Sequence, residues 1–124
     1  MKSKIAIAIL CCVTSCGAAI KDADAVRAIV GESSNQGERG MLAVAAAIRN
    51  RGTLKGVYGL RNPIADKQPE WVWSRARKAW SQSATNDITL GATHWENTKA
   101  FGVPYWAKSM RATITVKDHT FYKP

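Results

Sequence analysis

Between Gly40 and Gly52 the chain runs Met41-Leu42-Ala43-Val44-Ala45-Ala46-Ala47-Ile48-Arg49-Asn50-Arg51, with Met41, Val44, Ala45 and Ile48 on one helical stripe. Four alanines leave this helix almost no side-chain bulk, so neighbouring segments can pack against it closely. Gly40 to Arg51 is therefore expected as the central helix of the domain, with Gly52 as its stop. At 124 residues, 46% of them hydrophobic and 22% charged, the chain has enough apolar surface for one core without a metal or disulfide. Disorder, collagen-like repeats and multi-domain architecture are excluded.

The remaining elements are arranged around that helix. Asp22 or Asp24 is placed to cap a preceding helix whose Val26, Ile29 and Val30 recur at helical spacing, ending near Gly31 to Ser34. Residues 53–68, with Gly56, Gly59 and Pro63, read as a long loop with an irregular turn. Pro69 opens a third helix in which Trp73, Ala76 and Trp80 share a face. Residues 81–103 carry weak local signals and read as a loop. Ala112, Ile114 and Val116 alternate with Thr113, Thr115 and Lys117 ahead of His119-Thr120-Phe121-Tyr122, which predicts a short hairpin. The fold class is a mainly helical α+β single domain with a short C-terminal β-hairpin.

Met1 to Ser15 reads as an export signal, with Lys2 and Lys4 before an apolar run from Ile5 to Val13 that is too short to span a bilayer comfortably. The sequence Val13-Thr14-Ser15-Cys16-Gly17 has the look of a bacterial lipoprotein processing site, which would lipidate Cys16 and anchor the protein to a membrane. Ordinary cleavage after Ala19 or Ala25 is the alternative. All three cysteines, Cys11, Cys12 and Cys16, lie in or beside this segment. The remaining body, residues 16–124, thus has no disulfide framework, thiolate zinc site or cysteine nucleophile. Lys and Arg number 18 against 9 Asp and Glu, a formal charge of +9, and only Lys2 and Lys4 of that excess leave with the signal. The folded part is basic and predicts an anionic partner: nucleic acid, a membrane surface or an acidic wall polymer.

Few groups remain for chemistry. Glu32 follows the apolar stretch Ala28-Ile29-Val30-Gly31 at a helix end, where desolvation and the terminal carbonyl dipoles both disfavour a negative charge and suit a carboxyl group to donating a proton. A capping or ion-paired role is the commoner reading for such a glutamate. Five tryptophans supply flat faces for sugar rings or for a core. Trp73 and Trp80 suit the core, while Trp95 and Trp106 lie in loop-like sequence near His94, Asn97 and Tyr105. Arg49 and Arg51 read as solvated charges at a helix C-terminus. His94 and His119 are too loosely spaced to argue a metal site, and no zinc motif, phosphate-binding glycine loop or nucleophile elbow is present.

Three blocks together carry a resemblance. Ala28-Ile29-Val30-Gly31-Glu32, a polar turn and Gly40 to Arg51 form the first; Gly91-Ala92-Thr93-His94-Trp95-Glu96-Asn97 with Trp106 the second; His119-Thr120-Phe121-Tyr122 the third. Their order and spacing resemble the SleB-like cell wall hydrolases, the spore cortex-lytic type, over nearly the whole of residues 16–124. The resemblance implies a lysozyme-like fold that cleaves peptidoglycan glycan strands between N-acetylmuramic acid and N-acetylglucosamine. It makes Glu32 the catalytic acid/base of a lytic transglycosylase, with no cofactor or metal and no nucleic-acid partner. Ser34, His94, Trp95, Asn97, Trp106, His119 and Tyr122 are the expected substrate-binding residues. Family members often have a second glutamate shortly after the first, where this turn offers Gln36 with Glu38 out of register, and the aromatic after His94 is commonly Tyr or Phe.

Two rivals stand beside that reading. One is a hydrolytic muramidase using Glu38, Glu96 or Asp118 as a second carboxylate. The other is a non-catalytic peptidoglycan-binding lipoprotein that keeps the aromatic cleft. All three place the protein outside the cytoplasm, in the periplasm or cell envelope.

Overall fold

The computed structural model describes residues 19–124, so the export segment and Cys16 lie outside the described residues. Helix α1 (Asp22–Ser33), helix α2 (Gly37–Arg51) and helix α3 (Glu70–Ser83) pack against one another. Met41, Ala43, Val44, Ala45, Ala47 and Ile48 of α2 are all fully buried, as the small-residue run predicts. Gly52 closes the helix in the left-handed conformation and donates its N–H to Ile48 O. Ile29 and Val30 of α1 and Val72 and Ala76 of α3 complete the helical part of the core.

The cap of α1 differs from the expectation. Lys21 occupies the N-cap with no side-chain bond, and Asp22 and Asp24 sit inside the first turn, where their charge meets the positive end of the helix dipole. Asp22 is also turned toward α3, accepting from Trp80 Nε1 at 2.8 Å.

The segment after α2 is more ordered than a plain loop. It forms two 3₁₀ turns, Tyr58–Arg61 and Pro63–Lys67. Both are strapped to α1. Arg27 donates to Leu60 O at 3.0 Å and grips Asp66 with two further N–H groups, and Asn62 Nδ2 donates to Gly31 O at 3.1 Å. Backbone meets backbone where Gly31 faces Gly59. A Cβ added at Gly31 would fall inside the Gly59 carbonyl, and one at Gly59 would collide with Glu32 and Ala28.

The C-terminal hairpin is present as β2 (Arg111–Val116) and β3 (His119–Lys123), with a bulge between Ala112 and Ile114 that breaks the predicted alternation. It belongs to a three-stranded sheet. Strand β1 (His94–Asn97) pairs antiparallel with β3, giving the order β1-β3-β2, and a short helix α4 (Thr98–Phe101) follows it. The expected loop over residues 81–103 thus hides a strand. Its four residues, His-Trp-Glu-Asn, contain no β-branched side chain and no alternation. What makes them a strand is the long-range pairing of Trp95 with Phe121 and its neighbours.

Candidate active site

Glu32 is the next-to-last residue of α1 and half-buried, and both of its carboxyl oxygens are held from outside the helix. Oε2 accepts from the Gly59 backbone N–H at 2.5 Å, and Oε1 accepts from Trp95 Nε1 at 2.9 Å. The glycine pairing explains the first bond, because only with two hydrogens at Gly31 and Gly59 can the 3₁₀ turn come near enough to α1 to aim its N–H at the carboxylate. Pairing of β1 with β3 explains the second, since it fixes Trp95 opposite the fully buried Phe121.

Two hollows meet at this carboxyl group, and Glu32, Tyr58 and Glu96 line both. One, of about 360 Å³, extends past Arg51, Val57, His94 and Trp95 to Trp106. The other, of about 450 Å³, extends past Asn35, Asn62, Asn97 and His119 to Phe101. Together they make one groove, and Glu32 lies where its two halves join. Tyr58 and Phe101 stand on its rim, 84% and 78% exposed. A larger hollow of about 640 Å³ lies at the other end of α1, between Asp22, Val26, Arg49, Trp73 and Trp80. It contains neither histidine, and Asp22 is tied to Trp80 there.

Of the residues expected to bind substrate, five line this groove. His94 packs on Trp106 with ring centroids 5.5 Å apart, and its Nδ1 lies 2.8 Å from Thr93 Oγ1. Burial, then the nearby Arg51 charge, lowers the pKa of His94 and favours the neutral ring. Trp95 faces Glu32, and Asn97 accepts from Ala100 N at 2.9 Å as the cap of α4. His119 is 7% exposed, and its Nδ1 has no partner. Burial lowers its pKa against the opposing pull of Glu32, Asp118 and Glu96. Two expected residues stand apart. Ser34 caps the end of α1 and lines neither half, and Tyr122 is buried beneath Trp106, edge-on with centroids 5.4 Å apart. Among the described residues, no group of three or more His, Cys, Asp or Glu is placed to hold a metal ion.

No protein-family model and no curated protein matches the sequence. Solved structures do match. The catalytic domain of the Bacillus cereus SleB protein superposes with a TM-score of 0.62 at 24% identity, over 86% of this chain and 94% of that one. The catalytic domain of the germination-specific lytic transglycosylase SleB from Bacillus anthracis superposes with a TM-score of 0.63 at 25% identity, over 86% and 98%. The fold is that of a SleB catalytic domain. The resemblance drawn from three sequence blocks is thus a resemblance in three dimensions.

Within this SleB-like frame the two departures have structural consequences. Trp95, where Tyr or Phe is commoner, supplies the indole N–H that holds Glu32. Gln36 is buried and clips the hairpin to the α1–α2 turn. Its Nε2 donates to Asp118 Oδ2, its Oε1 accepts from Asp118 N, and Lys117 Nζ reaches Asn35 O nearby. Glu38 lies on the α2 face beside Arg75 and Lys78, away from the groove. Glu96, whose Oε1 accepts from Asn97 N, is the other carboxylate that lines it.

Arg49 and Arg51 are not the solvated helix-end charges that their position suggests. Arg49 lies 3.7 Å above the Trp80 ring and donates to Ser83 Oγ and Trp80 O. Arg51 donates to Lys55 O and Thr93 O. Between them Asn50 Nδ2 binds Asp87 and Ala92 O, and Asp87 gathers Thr89 and Gly91. The end of α2 thereby secures the segment that leads into β1 and Trp95.

Proposed function

We propose that this chain is an exported peptidoglycan lytic transglycosylase, residues 16–124 forming its cell wall hydrolase domain and Glu32 its single acid/base. The observation that carries the reading is the position of Glu32, held by two N–H donors where the two halves of the groove join. A polymer lying in such a groove presents one internal bond to the carboxyl group. The SleB neighbour from Bacillus anthracis, described as a lytic transglycosylase, supports the same chemistry.

The reaction follows from the carboxyl group's environment. Gly59 and Trp95 each engage one lone pair, one on either oxygen, so each oxygen keeps a second lone pair on which the proton can sit. That proton passes to the glycosidic oxygen as the bond to muramic acid C1 breaks, and the bonding electron pair leaves with the N-acetylglucosamine 4-oxygen. The carboxylate left behind faces the positive charge on the ring and is still held by its two donors. It then takes the proton of the muramic acid 6-hydroxyl as that oxygen bonds to C1. The product is a 1,6-anhydro sugar, the acid is regenerated, and no water is consumed. Trp95, Trp106 and His94 on one side and Asn97 and His119 on the other flank the strand.

A Glu32→Gln protein that folds and releases fragments from purified peptidoglycan about 10³-fold more slowly is the expected result; release at the wild-type rate would remove Glu32 from the mechanism. Anhydromuramyl ends in the product masses support the transglycosylase. Glu96, by lining both halves of the groove, favours hydrolysis as the second reading, in which it activates a water and leaves reducing muramic ends. Retention of the wild type on peptidoglycan with no fragment released would mark a binding protein instead. The mass of the mature protein recovered from membranes distinguishes a lipidated Cys16 from ordinary signal cleavage.

A further inference from the structure

The two halves of the Glu32 groove are chemically unlike, and, granted the cleavage reaction above, the difference orients the strand. Among the described residues, two buried side-chain polar atoms lack a partner, Arg51 Nε and His119 Nδ1, and each half contains one of these residues. Arg51 spends one N–H on Thr93 O at 3.0 Å and one on Lys55 O at 2.6 Å, which leaves three of its five uncommitted and its positive charge unpaired by any salt bridge. Its guanidinium lies 5.9 Å from the Trp95 ring centre, beside His94.

The opposite half is built of neutral amides. Asn62 is spent on Gly31 O and Ile64 N. Asn35 and Asn97 commit only their carbonyl oxygens, to Gln36 Nε2 and Ala100 N, so their NH₂ groups are free to donate. Glu96 is common to both halves and discriminates neither. Of the two alternating sugars only muramic acid carries a carboxyl-derived group, the lactyl substituent, which is a carboxylate when free and a carbonyl acceptor when a stem peptide is attached. A fixed guanidinium stabilises such an acceptor more than neutral amides do.

We propose that the Arg51 half receives the muramic acid residue, with its lactyl group accepting from the guanidinium, and that the Asn35–Asn97 half receives N-acetylglucosamine. Arg51 is then a specificity-determining residue, and the strand runs with its muramyl side toward Trp106.

The test needs only the wild-type protein and two forms of one substrate. Stem-free glycan strands with free lactyl carboxylates are compared with the same strands after conversion of those carboxylates to neutral methylamides. KM is expected to rise about tenfold on neutralisation with kcat little changed, and salt is expected to raise KM for the acidic strands alone. Arg51→Lys, which keeps the charge but not the planar fork, narrows the difference between the substrates. Asn97→Ser, in the other half, adds no charge and keeps an acceptor for Ala100 N, so it moves both KM values together and leaves their ratio. Equal KM values for the two strands with the wild type overturn the assignment of Arg51 while leaving cleavage intact. Failure to cut either strand, or intact peptidoglycan, overturns the enzymatic reading itself.

Discussion

Helix α1 carries a carboxylate near each end, and each accepts a hydrogen bond from a tryptophan: Asp22 from Trp80 at 2.8 Å, Glu32 from Trp95 at 2.9 Å. Ten helical steps separate them, an axial rise of about 15 Å along the helix. At the first end the helix dipole favours the charge, and the bond joins two packed helices beside a largely apolar hollow. At the second the terminal carbonyls oppose the charge, a second donor comes from Gly59, and the hollow is a groove lined by both histidines of the chain. One motif thus does two jobs. Where the helix stabilises the carboxylate the pair is a brace, and where the helix opposes it the pair, with Gly59, fixes the carboxyl group proposed as the acid/base.

The sharpest way to break this contrast is to remove each carboxylate in turn. Glu32→Gln is expected to lower the rate of peptidoglycan solubilisation per folded molecule by about 10³-fold, the scale of a lost general acid, and to lower the melting temperature modestly, because the amide offers one acceptor oxygen where the carboxylate offers two. Asp22→Ala is expected to act on stability alone. It leaves Trp80 Nε1 without its acceptor and costs about 1–2 kcal/mol in urea unfolding, with activity per folded molecule retained. Equal losses of activity in the two variants would erase the distinction between the ends.

A smaller effect tests why Glu32 is reachable at all. Gly31→Ala places a methyl group against the Gly59 carbonyl and is expected to cost about 1–3 kcal/mol, with activity falling further than the unfolded fraction explains because the Gly59 N–H is pushed off the carboxyl group. Gly37→Ala is the control. Its φ of +74° strains any side chain, but nothing lies within 4 Å, so about 1 kcal/mol is lost and activity per folded molecule is kept. Trp95→Phe keeps an aromatic ring beside Phe121 but deletes the indole N–H together with part of the ring system, which should lower kcat about tenfold, the equivalent of about 1.5 kcal/mol. Trp80→Phe, its counterpart at the other end, should change stability and leave kcat alone.

The helical frame was legible in the sequence because its signals are local. The alanine run, the glycine stop and the Val26-Ile29-Val30 spacing each report on a few neighbouring residues, and the helices they predict are present. Glu32 could be singled out for the same reason, since its place at the end of an apolar stretch is a local fact. What surrounds it was not legible. The Gly59 N–H comes from 27 residues away and the Trp95 indole from 63, and β1 exists only through its pairing with β3. Arg49 and Arg51 misled for a related reason. Basic residues at a helix C-terminus satisfy the dipole wherever they point, so the sequence holds no sign that these two reach across to Trp80 and Thr93. The bare run of letters marks Gly31 and Gly59 only as glycines, and their mutual contact was the signal missed.

The smallest expected effect is a pH dependence confined to the Glu32 end, where both histidines lie. Burial lowers the pKa of His119 below its ordinary value of 6.5, against the pull of Glu32, Asp118 and Glu96, and burial with the Arg51 charge does the same to the more exposed His94. Between the folded and unfolded values the unfolded chain binds more protons, so stability rises with pH across that interval. The contribution is complete above about pH 6.5 and is lost as pH falls from there through the folded-state values. Asp87 marks a separate window. Burial raises its pKa, but bonds from Thr89, Asn50 and Gly91 outweigh that and hold it below 3.8, so its contribution is lost only in stronger acid. A melting temperature that is level above neutrality and drops by a few degrees as pH falls below about 6.5 is the expected profile. His119→Gln should flatten most of that drop, because His119 is the more deeply buried of the two rings. An unchanged slope in this variant would assign the drop to His94, at the Trp106 side of the groove, and would leave the buried His119 with no part in the acid sensitivity of this end of the molecule.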